Sequence, residues 1–474
     1  MYAPLHRDTT VTDLPLMDRN RQIGLFSATL LVIASMVGTG VFTTSGFILQ
    51  ELGNPWALLA CWAAGGAFAL AGALCYGELG ARYPRAGGEY VFLRESFGEL
   101  PAFLSGWISL LVGFSAPLAA GAVACAAYLL AALDLTAAGG YTWPWGGRML
   151  LSLSPLTLTA AGIILAFALL HHSLVLGSGV QNILTLLKVV LIIAFITAGL
   201  GWGQGSLAPL TEAPDLRLVL SGKFAVSLIF VSFAYSGWSA AAYLGGEIRR
   251  PTRNIPLALL GGTVVVTLLY LLLNLTFIYA LPPGEMKGVL AVGERAAAAL
   301  FGPGISRIFS GAVAVGLLSL VSALMMTGPR VYLAMARDGL FFPRLGRVTA
   351  RGTPANAIRL QAALALIMVV TASFEDLLLF IGFTLSVSSL STVAGLMVLR
   401  YREPRPELPY RTPGYPLIPL LFILGNGWIV AFSLVTRPVT SLAGLAAMLA
   451  GLGLYGHFAR RRGAETRAKG GESG

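Results

Sequence analysis

The sequence predicts an all-α integral membrane protein crossed by twelve helices. Of its 474 residues, 56% are hydrophobic and only 11% charged, and the mean hydropathy is +0.78. Soluble domains carry about 25% charged residues, so a water-soluble globule is excluded, and so is a disordered chain. The apolar residues also gather in charge-free runs of the length a bilayer demands, about 20 residues each.

The runs define the spans in order. Leu25 to Gln50 is the first and Trp56 to Gly77 the second. Leu100 to Leu133 is uncharged throughout and too long for an upright span, which predicts a long, tilted helix. Met149 to Leu187 is divided by His171-His172-Ser173 and Gly177/Gly179 into spans four and five. Phe224 to Gly246 is the sixth, Ile255 to Leu281 the seventh, and Ile308 to Ala336 the eighth. Spans nine to twelve cover 358–374, 377–399, 416–436 and 438–459.

With both termini cytoplasmic, 24 of the 32 Lys and Arg residues fall on the cytoplasmic side, seven on the other, and Lys188 within a span. That is a positive-inside bias. The formal net charge of +11 is therefore mainly a topology signal, with some attraction to anionic lipid headgroups. The first 24 residues are polar, carry three arginines and have no apolar core, so no cleavable signal peptide is expected. Cys61, Cys75 and Cys125 lie in apolar runs and read as buried free thiols. His6, His171, His172 and His457 offer no metal-ligand spacing, so neither metal nor cofactor is expected.

Two spans carry glycine at their centres. Span one contains Ser35-Met36-Val37-Gly38-Thr39-Gly40-Val41-Phe42, and span six contains Phe233-Ala234-Tyr235-Ser236-Gly237-Trp238-Ser239. Close helix packing explains any one such glycine. Paired breaks at corresponding places in two halves point to a transporter's central site. A helix restarting at a break presents backbone N–H groups that suit a carboxylate. Span five adds the only lysine in a membrane core, Lys188 in TLLKVVLII. An intramembrane charge is a functional feature by default; the plain alternative is a lysine snorkelling to the interface. A proton could leave it during a cycle, or its ammonium could stand in permanently for a bound cation.

Taken together these segments resemble the amino acid–polyamine–organocation (APC) superfamily of transporters, near its bacterial L-type and cationic-type amino acid permeases. GTGVF (38–42) resembles the unwound first helix, and FAYSGW (233–238) the unwound sixth. CYGELGARYPRAGGEYVFLRESFG (75–98) resembles the signature of helix two and its loop. GEIRRPTRNIPLAL (246–259), TGPRVYLAMARDGLFF (327–342) and PYRTPGYPLIPLLF (409–422) resemble the loop after helix six, the end of helix eight and the entry to helix eleven.

The resemblance implies a first repeat of five helices (25–203), an inverted second repeat (204–400), two further helices with their preceding loop (401–459), and cytoplasmic tails at 1–24 and 460–474. It implies alternating access by a bundle of spans 1, 2, 6 and 7 against a scaffold of 3, 4, 8 and 9. The substrate carboxylate would bind the amides of Thr39, Gly40 and Val41 beside Gly38. Ser35, Val37, Phe233 and Ser236 would hold the α-amino group, with Phe233 also closing over the substrate. Ser236, Gly237 and Trp238 would shape the side-chain pocket. Lys188 matches a fifth-helix lysine that takes the place of sodium, which implies sodium independence and leaves proton symport and exchange both open. In LSLVSALMM the sequence departs from relatives that have asparagine between the small residues; Ser319 and Ser322 are the candidates to contact Lys188.

Glu78 in YGELG reads equally as an inner-gate ion pair or an interfacial charge. Glu247 with Arg250 and Arg253, and Arg330 with Arg337 and Asp338, read as a cytoplasmic network or as solvated loop charges. The stretch 293–301 is expected to cap the outer vestibule. No Asp or Glu lies near the centre of the site-lining spans, which favours a neutral L-amino acid. The alternative is a cationic amino acid or polyamine, held by a cation–π site. Pocket candidates from spans three and ten are Ser109, Phe114, Phe380, Phe383 and Ser386. A membrane-embedded enzyme would need a polar constellation that the spans lack, and a channel a repeated filter segment. The expected setting is the inner (plasma) membrane, as a monomer, with a dimer as the alternative.

Overall fold

The computed structural model describes residues 21–471 apart from 134, 136–140, 146–147, 172–173, 212–214, 220, 290–291, 372–373, 404–406, 409 and 437. The N-tail to residue 20, His172, Ser173, Arg405 and Arg437 lie outside the described residues, as do the side chains of Arg148, Phe380, Arg461, Arg462, Arg467 and Lys469. Among the described residues the chain is helical except for one hairpin. Its helices are α1 (Leu25–Met36), α2 (Gly40–Leu52), α3 (Pro55–Arg82), α4 (Glu89–Phe97), α5 (Glu99–Ile108), α6 (Ala116–Ala132), α7 (Pro155–Leu170), α8 (Leu174–Trp202) and α9 (Gly222–Tyr235). There follow α10 (Ala240–Tyr243), α11 (Pro251–Ala280), α12 (Val292–Phe301), α13 (Pro303–Arg337), α14 (Ala355–Thr371), α15 (Phe374–Arg402), α16 (Leu417–Thr436) and α17 (Pro438–Gly471).

Among the described residues seven helices are long and apolar enough to cross a membrane, or eight with the bent pair α1–α2, and four shorter apolar helices accompany them. Several starts follow local chemistry. Asn54 accepts from the Ala57 N–H at 3.0 Å, with Pro55 in the first turn of α3. Ser154 caps α7 and Ser221 caps α9 in the same way. Each cap supplies an acceptor for an amide that the helix leaves unpaired.

Four expectations need correction or refinement. Met149 does not begin a span: it belongs to strand β2 (Arg148–Leu153), which pairs antiparallel with β1 (Tyr141–Trp145), and the helix begins only at Pro155. Gly177 and Gly179 lie within α8 and divide nothing. The long third run is one continuous span, Glu99–Leu130, as expected, but it is not α-helical throughout: Ser109–Ser115, between α5 and α6, is π-helical. The sixth run is helical to Tyr235 but resumes for only one turn, Ala240–Tyr243.

Two packed groups organise the core. In one, α11 lies along α3 and α1, while α9 packs on α2 and α3. In the other, α6 lies along α13 and α7, with α14 against both α6 and α7. Helix α8 touches α1, α11 and α13, which brings its inner face to the seam between the groups. Its opposite face exposes Ile183, Leu186, Val190 and Ile193. That spacing makes one continuous apolar stripe, suited to lipid tails.

Candidate functional site: a cavity between two broken helices

The first break separates α1 from α2, whose axes differ by 41°. Every residue from Ser35 to Val41 is buried. A helix end leaves its last carbonyls without intrahelical donors, and here two side chains supply them. The Lys188 Nζ lies 3.2 Å from the Ala34 carbonyl and 2.5 Å from that of Val37. The Tyr270 hydroxyl lies 2.6 Å from the Met36 carbonyl. Lys188 is 3% exposed, so it is a buried member of the core and not a snorkelling interface residue. Its stem passes Gly316, where a Cβ would stand 3.0 Å from Lys188 Cγ.

The second break follows α9, with residues Ser236 to Ser239 in a half-buried turn. Gly237 has φ +101°, a left-handed conformation that favours glycine. A Cβ there would come within 2.5 Å of the Ser35 carbonyl oxygen. The two breaks therefore touch, and glycine is what lets them. The Tyr270 hydroxyl also lies 3.0 Å from the Ala234 carbonyl, so it sits between the open ends of α1 and α9. Edge-on packing of Tyr270 against Trp62 and Tyr235 holds it there.

Between the breaks lies a cavity of about 80 Å³. Ser35, Gly38, Thr39 and Gly40 line it from the first break, and Phe233, Ser236 and Gly237 from the second. The π-helical segment contributes Ser109 and Phe114, and α13 contributes Leu324 and Thr327. Among the described residues no charged side chain lines it. The Ser35 hydroxyl is buried there without a protein partner, an arrangement that is costly unless a ligand or water completes it. Gly40 begins α2, so its amide and the next lack intrahelical acceptors. This is a neutral chamber with hydroxyls and a helix N-terminus, suited to a small zwitterion. An adjoining chamber of similar size shares Phe233, Ser236 and Gly237 and extends past Trp238 to Glu89, Ser386 and Asn426.

Comparison with known proteins identifies the family. The amino acid permease family model matches residues 23–453. The chain belongs to the amino acid permease family. This places the permease in the APC superfamily, among transporters and not enzymes. It is 30% identical to the serine/threonine exchanger SteT of Bacillus subtilis, over 93% of this chain and 98% of that protein. It is 28% identical to the mouse b(0,+)-type amino acid transporter 1, over 91% and 86% of the two chains. It is 29% identical to the human large neutral amino acids transporter small subunit 2, over 92% and 80%.

Other expected site residues fall elsewhere. Val37 and Val41 are fully buried and do not line the cavity of the permease; Val37 takes part through its carbonyl. Ser319 bonds back to the Gly316 carbonyl on its own helix, and Ser322 faces His171 Nε2 at 3.0 Å. Neither hydroxyl is hydrogen-bonded to Lys188. Phe383 is buried away from both chambers. Ser109 and Phe114 line the cavity as expected, but the π-helical geometry that carries them and the place of Glu89 were not foreseen from the sequence.

The charges at the arginine-rich end form defined pairs. Glu78 accepts from Arg400 Nε at 2.8 Å and Nη2 at 2.5 Å, and from the Thr412 amide at 2.7 Å. Arg400 also stacks over Tyr415, 4.0 Å from the ring centroid. Glu247 binds Arg330 in a fork at 2.9 and 3.2 Å, and not Arg250 or Arg253. Asp338 pairs with Arg94 at 2.5 Å, and not with Arg330 or Arg337. Bidentate Arg–carboxylate geometry is the strong form of this contact.

Proposed function

We propose that this permease moves L-amino acids across the plasma membrane by alternating access. The observation that carries the reading is the meeting of two helix breaks over one uncharged cavity, with a buried lysine behind the first. The substrate carboxylate binds the amides at the start of α2, from Thr39 to Val41. Ser35, with its unpartnered hydroxyl, and the open carbonyls near Val37 and Phe233 take the α-amino group. Phe233 closes over the substrate, and Ser236 and Trp238 shape the pocket for its side chain.

The twelve-helix architecture belongs to the same reading. The seven long helices, the bent α1–α2 pair and the four shorter apolar helices supply its twelve spans. Five spans in residues 25–203 and five in 204–400 form the inverted repeats, and the last two follow within 401–459. The arginine-rich end faces the cytoplasm with both termini, and Glu78–Arg400 and Glu247–Arg330 are its gate contacts. A single chain is the transporting unit, with a dimer as the alternative.

Lys188 occupies a cation's place against the carbonyls of the first break, which makes transport independent of sodium. The absence of charge around the first chamber favours a neutral side chain. A cationic amino acid or polyamine is the second reading, favoured by Glu89 in the adjoining chamber.

The test is a thermal-shift screen of the purified full chain against the L-amino acids, followed by uptake into proteoliposomes. A ligand at a hundredfold its Kd adds about 2.7 kcal/mol to the folded state. The expected hit stabilises the protein, undergoes counterflow, and is taken up equally when choline replaces sodium. Its decarboxylated amine should neither stabilise nor compete. Equal binding of that amine would remove the carboxylate from the site.

A further inference from the structure

Two glutamates are buried near the ends of α3 and α4, and their surroundings differ in kind. Glu78 is clamped by the Arg400 guanidinium and a backbone amide. The guanidinium and the amide are fixed donors, so losing the charge of that carboxylate would orphan them. Glu89 has a relative exposure of 4% and lines the chamber beside the second break. Its oxygens accept from the Tyr76 hydroxyl at 2.5 Å and from the Ser388 hydroxyl. Among the described residues no Lys, Arg or His is bonded to it.

Hydroxyl partners behave differently from a guanidinium. An O–H donates to a carboxylate, and after rotation its oxygen accepts from a carboxylic acid. Glu89 can therefore gain or lose a proton without leaving a buried hydrogen-bonding group unmatched. Two effects oppose one another at this position. Burial raises the Glu89 carboxyl above its ordinary range, while the Ser388 and Tyr76 hydroxyls draw it back down. Glu89 is also the first residue of α4, where the helix N-terminus favours negative charge.

The titratable and charged groups around it are few. Tyr76 faces it from α3 and Tyr243 from α10. Ser388 faces it from α15, and Ser105 of α5 lies behind Ser388 at 3.3 Å. The ion pairs on the packed helices include Arg94 of α4 with Asp338, just after α13, and Glu78 of α3 with Arg400 of α15. The path from Glu89 to the substrate cavity runs along shared walls at Ser236, Ser239 and Tyr243. Rearrangement of the half-buried second break would change the hydration of Glu89 directly.

We infer that Glu89 is a proton-binding site coupled to the substrate cavity, and that it makes transport by this permease proton-linked. The inference rests on the transport reading above and assigns its coupling. The only bond made and broken is the O–H of the Glu89 carboxylic acid. Water on one side of the membrane supplies the proton, and water on the other side receives it.

The experiment reconstitutes the full chain into liposomes loaded with a pH-sensitive dye, with radiolabelled L-serine, L-leucine and L-lysine as probes. In the wild type, acidifying the outside should raise uptake of an accepted probe several-fold and acidify the lumen. In Glu89→Gln the ratio of uptake at acidic to neutral outside pH should fall to one and the dye signal should vanish, and Glu89→Asp should restore both. A wild type without substrate-linked proton entry overturns the inference, as does an unchanged ratio in Glu89→Gln. Selective loss of L-lysine uptake with the ratio kept for other probes also overturns it, and makes Glu89 a side-chain ligand instead. If the wild type transports none of the probes, or Glu89→Gln does not fold, the site is judged by infrared spectra of the solubilised wild type and Glu89→Asp. A carboxylic acid band that titrates in the wild type and shifts in Glu89→Asp upholds the proton site. No such band overturns it, whatever the fate of the transport reading.

Discussion

The two breaks that frame the cavity are built by opposite means. The first is buried from Ser35 to Val41, and its open carbonyls are held by the Lys188 ammonium and the Tyr270 hydroxyl. The second is half-buried over Ser236–Ser239, restarts for a single helical turn, and is shaped by a left-handed glycine. One break is fixed by side-chain donors and the other is permitted by the absence of a side chain. A break that must hold a constant geometry needs donors whose loss is costly. A break that must rearrange is better left with few of them.

The comparison breaks most severely at Gly237. In Gly237→Ala the new Cβ meets the Ser35 carbonyl and an L side chain is forced into the left-handed region. Strain and overpacking together should cost about 2–4 kcal/mol, read as a fall in thermal stability and loss of ligand-induced stabilisation. A stable, ligand-responsive Gly237→Ala would mean that the breaks are not in contact.

Lys188→Ala comes next. It removes donors worth about 1.5–3 kcal/mol from the first break and should lower ligand affinity by roughly tenfold to a hundredfold, while the protein still inserts in the membrane. The same affinity and the same coupling in this variant would sink the idea that Lys188 supports the break. Tyr270→Phe keeps the aromatic packing and deletes only the hydroxyl between Met36 and Ala234. It should lower stability by about 1 kcal/mol, measured by thermal unfolding at fixed detergent. No change would mean that the hydroxyl holds neither end. Ser35→Ala sharpens the contrast most gently, because its hydroxyl has no protein partner to lose. Stability should stay within about 0.5 kcal/mol, while ligand binding weakens by about fivefold, the value of one modest hydrogen bond. Binding that is unaffected would take Ser35 out of the site.

The first break was legible because Gly38 and Gly40 interrupt a charge-free run, and Lys188 because no other charge sits in such a run. The second break was legible in Ser-Gly, yet the brevity of the helix after it was not: beyond Tyr243 the backbone leaves the helix and bridges Leu244 to Ala86 and Ile248 to Ile23. The π-helical segment has no residue signature, since Ser109–Ser115 would suit an α-helix equally well. Ser319 was misjudged because a buried helical serine commonly bonds its own backbone. Glu89 escaped notice because it lies between spans in the chain and returns to the cavity only through the fold. Glu78 was visible, but Arg400, its partner, is 322 residues away, beyond any sequence window.

The Tyr270 hydroxyl has a mechanical implication. It carries one proton and stands between carbonyls from two separate helices, while Gly237 leaves no gap beside Ser35. The neighbourhoods of the two breaks have almost no play between them, so neither can swivel while the other stays still. Any rearrangement of the second break must therefore be felt at the first, across the cavity from the π-helical segment and α13.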